Sequence, residues 1–340
     1  MVVDLMPSLD AKVAALRLAG AYDERPAGVE SIETHMSWVF LTPAHVYKLK
    51  KPVRADGLDF GTAERRHFYC MEELRLNRRL ARSVYLDVLP VRQAADGTIR
   101  TFGGGCIVDW VVMMRRLPAQ LMLDHLLARR EAQPVQLQRV AEQLAAFYLG
   151  LSPAVHDPAV YVQRLARTID ECEARLCDPE LACDVAQVRA VCANLRSFMR
   201  RHEDVLAARV RAGRIVEGHG DLRPEHVWLG TPPAIIDCLE FSPVLRTVDS
   251  ADEFGFLALE CERAGAPELG RVLLSRAAAL TGDMPPPRLV DFYQALRGCV
   301  WAGIALWHLK EPRYHGAPVW RERSSCYLEL AASHARRCLA

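Results

Sequence analysis

The stretch Val216-Glu217-Gly218-His219-Gly220-Asp221-Leu222-Arg223-Pro224-Glu225-His226-Val227, followed by Ala234-Ile235-Ile236-Asp237-Cys238-Leu239-Glu240-Phe241, constrains the fold more than any other part of the chain. Asp221 lies in a short polar loop after an aliphatic step, and Asp237 directly follows the apolar pair Ile235-Ile236, which reads as a short buried strand. Between them, Val227-Trp228-Leu229 reads as a second strand and Thr231-Pro232-Pro233 as a proline turn. Strand, turn and strand predict a hairpin with both carboxylates at one end.

A carboxylate pair of this kind suits phosphoryl transfer. One orients a hydroxyl and accepts its proton, and the other holds a divalent cation on nucleotide phosphates. Composition leaves room for this chemistry and removes others. The 340 residues suffice for one two-lobed domain or two ordinary ones. Hydrophobic residues are 51% and charged residues 25%, as in ordinary water-soluble proteins. A net charge of +1 gives no pull towards nucleic acid or an anionic membrane, and no apolar run reaches the roughly 18–20 residues of a membrane span. Asp4 and Asp10 near the start argue against a signal peptide, and eleven cysteines without a CxxC pair suggest reduced thiols and a cytoplasmic location. Cys172, Cys177, Cys183 and Cys192 match no zinc spacing and read as helix packing.

Only five residues are lysine among 43 basic ones, yet Lys48, Lys50 and Lys51 fall within four positions. A chain that defaults to arginine uses lysine there because a compact ammonium is wanted. The segment 29–50 alternates around Thr42-Pro43-Ala44 and predicts two or three antiparallel strands, with Lys48 and Lys50 on one face of the last. A helix is predicted over 8–20 and another over 62–82, the latter with Phe68, Met71, Leu74, Leu76 and Leu80 as its apolar side. Strands joined by tight turns follow to Met114, and beyond Pro118 the periodicity is helical: 119–130, 134–151, 159–176, 180–211, a helix after Glu253, then 268–281, 286–310 and 318–339.

His219-Gly220-Asp221-Leu222 with Ile236-Asp237 resembles the aminoglycoside phosphotransferase family, small-molecule kinases with a protein-kinase-like fold. Ser-Trp-Val-Phe-Leu at 37–41, Val-Tyr-Lys-Leu-Lys-Lys-Pro at 46–52, Leu-Asn-Arg-Arg-Leu at 76–80 and Ile-Asp-Cys-Leu-Glu-Phe at 236–241 are similar to a bacterial branch, some members of which look fused to a P-loop ATPase module. No GxxxxGK[ST] occurs here, so the kinase-like part alone is expected. The resemblance implies an α+β, two-lobed protein-kinase-like fold, with an antiparallel-sheet N-lobe at 1–117 and a mainly helical C-lobe at 118–340. It implies ATP with Mg²⁺, or Mn²⁺, and transfer of the γ-phosphate to a small hydroxyl-bearing substrate, with no nucleic-acid or membrane partner.

Residue by residue, the resemblance places Asp221 on the catalytic aspartate and Asp237 on the metal aspartate. Lys48, mid-strand, is preferred over Lys50 as the phosphate lysine. Glu73 is its partner on the helix, with Glu72 the neighbouring alternative. The turn at Thr34–Ser37 would lie over the phosphates although it lacks glycine, and Met114, Arg115 and Arg116 fall where backbone would meet adenine. Asp252 would cap its helix and brace the catalytic loop. His219 reads as a scaffold hydrogen-bonder. Where the family has asparagine this chain has His226. It could be a ligand altering metal preference, could leave a single-metal site completed by Glu240, or could mark an inactive nucleotide-binding regulator.

Overall fold

The computed structural model describes residues 6–55, 58–181, 183–310 and 317–340. By contacts the chain divides into two units, Met1–Leu121 with Gly230–Val244, and Met122–Leu229 with Leu245–Ala340. The sequence expectation divided the chain after residue 117 and left 230–244 with the helical part. In the structure, backbone and side chains of 237–240 bond to Lys48, Lys50, Asn77 and Tyr85, which draws this segment into the sheet-bearing unit.

In the first unit, helix α1 (Leu9–Leu16) starts where the Ser8 hydroxyl accepts from Ala11 N–H. Strands β1 (Glu30–Glu33), β2 (Ser37–Leu41) and β3 (His45–Lys50) precede helix α2 (Ala63–Ala81). Strands β4 (Tyr85–Gln93), β5 (Ile99–Arg100) and β6 (Cys106–Arg115) complete an antiparallel sheet in the order β1-β2-β3-β6-β4-β5. Alternation along β3 separates two environments. Tyr47 and Leu49 join Val13, Leu16, Tyr22, Phe40, Val91 and Val111 in a core, whereas Lys48 and Lys50 point to the side that carries α2.

Helix α2 matches its predicted span, capped by the Thr62 hydroxyl, and its predicted apolar side only in part: Leu74, Leu76 and Leu80 are buried. Phe68 and Met71 are exposed, and the buried face runs through Arg66, Cys70, Glu73, Asn77 and Leu80. That face keeps helical spacing while carrying three polar residues, each with a partner inside the unit. Arg66 makes a bidentate pair with Asp109 at 2.8 Å for each bond, and Asp109 also accepts from Lys12 at 2.7 Å.

The second unit is mainly helical: α3 (Leu123–Ala128), α4 (Pro134–Leu149), α5 (Pro158–Leu176), α6 (Val185–Arg201) and α7 (Glu203–Arg211), then α8 (Ser250–Arg263), α9 (Pro267–Thr281), α10 (Pro287–Trp307) and α11 (Pro318–Arg337). The single helix expected over 180–211 is two. Asp184 caps α6, and His202, at φ −132° and ψ 34°, leaves the helical region between α6 and α7. Two short strands, β7 (Ile215–Glu217) and β8 (Thr247–Asp249), pair antiparallel with Val216 opposite Val248. Asp249, not Asp252, caps α8, since its side chain accepts from Ala251 N–H. Phe198, Phe292, Tyr293, Tyr327 and their aliphatic neighbours from α5, α6, α10 and α11 form the core. Among the described residues, no helix is long and apolar enough to cross a membrane.

His334 on α11 is buried between two carboxylates, Asp291 Oδ1 at 2.6 Å from Nδ1 and Glu262 Oε2 at 3.0 Å from Nε2, with Arg337 against the same ring. Two acceptors on two ring nitrogens require the imidazolium. Burial alone would lower its pKa, but the bonds to Asp291 and Glu262 outweigh burial and Arg337 and leave it above the ordinary 6.5. A raised folded pKa gives stability that is full below the unfolded value and lost as pH rises through the folded one. The thermal midpoint should therefore fall as pH is raised from about 6 towards 9, and His334→Gln should flatten that slope. An identical slope in His334→Gln would contradict the assignment.

Candidate functional site

The first unit holds a chain of five charges on β3, α2 and the 230–244 segment. Lys48 Nζ lies 3.0 Å from Glu73 Oε1 and 2.6 Å from Asp237 Oδ1. Lys50 Nζ lies 2.6 Å from the other Glu73 oxygen and also donates to Glu240. Strand period two puts both ammonium groups on one face; Lys50 donates to Glu73 Oε2, and Lys48 forms an ion pair at Oε1. Lys50, Glu73 and Glu240 are at most 9% exposed at the side chain, and Lys48 is 15% exposed, but Asp237 is 43% exposed and is the carboxylate open to a ligand. Burial alone would lower the Lys48 ammonium. Asp237, Glu73 and Glu240 outweigh this and hold it well above its ordinary value. Glu73 is pushed up by burial and pulled further down by Lys48 and Lys50, so it stays ionised.

Two residues that the sequence reading passed over shape this group. Asn77, one helical turn beyond Glu73, donates to Glu73 O and accepts from Cys238 N–H, both at 2.9 Å. Tyr85 Oη accepts from Asp237 N–H at 3.0 Å. Both fix the backbone at Asp237, which has φ +62°, the left-handed region that residues other than glycine rarely enter. Strain of this kind persists where surrounding bonds over-determine it.

The remaining nucleotide candidates are placed as follows. Lys51 is tied to Glu33 and to Thr34 O. The Thr34–Ser37 turn needs no glycine because the Thr34 hydroxyl bridges it, donating to Ser37 O at 2.9 Å and accepting from Ser37 N–H at 3.0 Å. Ser37 Oγ is buried without a hydrogen-bond partner among the described residues. Met114 and Arg115 end β6, and the N–H groups of Arg115 and Arg116 donate to Val84 O and Ala44 O, each at 2.8 Å. Those two donors are therefore committed to backbone.

The second unit carries the other motif. The loop leaves β7 at Gly218, where a Cβ would come within 2.4 Å of Glu253 Oε2, so only glycine fits. Gly220 turns it at φ +89°. Glu253, fully buried on α8, accepts from the N–H of His219 at 2.7 Å, from that of Gly220, and from the Tyr148 hydroxyl. Asp252 pairs with Arg297 through two bonds of 2.8 and 2.9 Å, and Arg297 also donates to Gly220 O at 3.1 Å. Asp252 thus reaches the loop through Arg297. Glu253, Tyr148 and Arg297 have no motif signature and were not foreseen.

Within the loop, Asp221 accepts from Arg223 at both carboxylate oxygens, 2.9 and 3.0 Å, and its N–H donates to His219 Nδ1 at 3.3 Å. His226 is buried, its Nδ1 lying 2.8 Å from the backbone oxygen of Asp221 and 3.6 Å from Oδ2. A carbonyl only accepts, so Nδ1 carries the proton and Nε2 is the acceptor nitrogen of the neutral ring. Among the described residues no group of three or more His, Cys, Asp or Glu has metal-holding geometry. Asp237 remains as a hard oxygen donor of the type Mg²⁺ takes, one carboxylate being enough when phosphates and water complete the shell.

No family model matches the sequence. Two uncharacterised proteins, from Mycobacterium tuberculosis and Mycobacterium bovis, are each 34% identical over 277 residues, which is 80% of this chain. The chain spans about half the length of these relatives, 53%. Among solved structures, a choline/ethanolamine kinase family protein from Mesorhizobium loti superimposes with a TM-score of 0.53 and 16% identity over 96% of this chain and 98% of that one. LicA in complex with AMP does so at 0.50 and 16%, over 91% and 92%. The chain has the kinase-like fold of these proteins. The two-lobed α+β architecture expected from the motifs is the one found.

Burial separates the two lysines and predicts different costs for losing them. Lys50→Ala leaves Glu73 and Glu240 buried without their shared cation, a change that costs about 3–5 kcal/mol. Lys48→Ala removes a half-open ion pair whose Asp237 partner can be hydrated, and should cost less. Urea unfolding midpoints read the difference, and equal losses would contradict the burial assigned to Lys50.

Proposed function

We propose that this chain is an ATP-dependent phosphotransferase that moves the γ-phosphate to a hydroxyl of a small molecule. The observation that carries this reading is the ammonium of Lys48 held between Glu73 and an accessible, strained Asp237. It is an arrangement for binding phosphate and a hard cation on a fold shared with a choline/ethanolamine kinase family protein. The AMP in LicA supports an adenine nucleotide as the donor.

In this reading Lys48 binds the nucleotide phosphates, and Glu73 with Lys50 keeps it in place. Asp237 would hold Mg²⁺, which supplies neutralisation of charge on the phosphates. Asp221 accepts a hydrogen bond from the acceptor hydroxyl and orients its oxygen. That oxygen bonds to the γ-phosphorus while the bond to the bridging oxygen breaks. ADP carries away the electron pair, and the hydroxyl proton passes to the Asp221 carboxylate. Glu240 is spent on Lys50, and His226 holds the loop at Asp221 O, so neither is assigned to the metal.

Metal-dependent release of ADP from ATP, with water as a slow acceptor, tests the proposal. Asp221→Asn and Asp237→Asn should each lower the rate by about 10²–10⁴ with unfolding midpoints little changed. A chelator should abolish it, and His226→Asn should leave the metal preference of wild type unchanged. Both aspartate variants running within threefold of wild type would defeat the proposal. Binding of ATP without turnover across a panel of hydroxyl compounds would replace it with a nucleotide-binding regulator.

A further inference from the structure

The residue two positions after Asp221 is held more tightly than an ordinary surface arginine. Pro224 opens a single 3₁₀ turn, Pro224–His226, that brings Glu225 back towards Arg223. The guanidinium donates through Nε and Nη2 to the two oxygens of Asp221 and through Nη1 to Glu225. One of its faces lies 4.1 Å from the ring centre of Trp301 on α10. Its side chain is 14% exposed, that of Asp221 13%. Three donors in one plane and a ring beneath leave the guanidinium no rotation that keeps its bonds. A carboxylate gripped at both oxygens by such a fork has its own plane fixed as well.

We infer that Arg223, clamped by Glu225 and Trp301, is a positioning residue that holds the Asp221 carboxylate in the one orientation used on the acceptor hydroxyl. This rests on the phosphotransferase reading of Asp221. A charge held only for neutrality could be served by any cation. Orientation requires the planar fork, because an ammonium supplies one point of attachment where the guanidinium supplies two. Displacement of a catalytic group by about 1 Å can cost 10²-fold in rate, so loss of the fork should show in turnover before it shows in binding. His219 bonds to the Asp221 N–H and His226 to its backbone oxygen; His226 Nδ1 lies 3.6 Å from Oδ2, beyond hydrogen-bond length, so neither replaces the grip on the side chain.

The test compares Arg223→Lys and Arg223→Ala with wild type in ADP release. Both should lose about 10–100-fold in kcat with the KM for ATP nearly unchanged, the lysine variant doing no better than alanine. Millimolar guanidinium should restore part of the rate to Arg223→Ala and none to Arg223→Lys. Glu225→Gln, which keeps the fork but loosens one edge, should lose less and serves if the alanine variant does not fold. Wild-type kcat in Arg223→Lys, or no rescue of Arg223→Ala by guanidinium, would overturn the inference. If wild type itself turns over no ATP, the phosphotransferase reading fails instead. A crystal structure of Arg223→Lys then decides the orientation alone: a changed Asp221 rotamer supports the grip, and an unchanged one overturns it.

Discussion

The buried carboxylate of Glu73 lies between two ammonium groups, and much of the first unit can be derived from that fact. A charge removed from water is stable only with close partners, and here Lys48 and Lys50 take one oxygen each. Strand alternation on β3 supplies both lysines from one short segment, and the helical spacing of α2 sets Asn77 beside Glu73. Asn77 then bonds to Cys238 and Tyr85 to Asp237, so the polypeptide at 237–240 is drawn to the same place. The left-handed backbone at Asp237 follows from those bonds. What emerges is one accessible carboxylate beside one ammonium, with the remaining charges sealed behind them.

The second unit solves a comparable problem with another buried carboxylate. Glu253 gathers two consecutive loop N–H groups and a tyrosine hydroxyl, and the neighbouring Asp252 acts on the same loop through Arg297. Each is a polar network in an apolar surround, where an unpaired member would be costly. The networks also rigidify what they enclose. A loop held at His219, Gly220 and Asp221 presents the Asp221 side chain from a fixed backbone, and the Arg223 fork completes the constraint.

Much of this was legible in the sequence because the elements are strongly patterned. The antiparallel strands with Lys48 and Lys50 on one face, the span of α2 and the helices after residue 118 follow from periodicity and from Thr, Asp, Pro and Gly at the ends. The carboxylates and lysines stood out by motif and by the scarcity of lysine. Less legible was anything set by partners distant in the chain. The inner face of α2 was read only in part: Leu74, Leu76 and Leu80 are buried as expected, but Phe68 and Met71 are apolar and exposed, while Glu73 and Asn77 are polar and buried. Hydrophobic spacing cannot reveal a stripe made of compensated charges. The break at His202 carries neither proline nor glycine, and Glu253 and Tyr148 owe their roles to a fold in which residues 105 positions apart touch. The cap at Asp249 instead of Asp252 is a choice between two acidic residues that spacing alone leaves open.

Calorimetric titration of a nonhydrolysable ATP analogue with Mg²⁺ into wild type and Lys48→Ala bears most directly on the claim that Lys48 and Asp237 form a nucleotide–metal site. The account predicts saturable one-to-one binding to wild type that weakens at least about tenfold when Mg²⁺ is withheld and again in Lys48→Ala, about 1.4 kcal/mol for each loss. Absence of binding to folded wild type, or binding indifferent to both metal and Lys48, would contradict it.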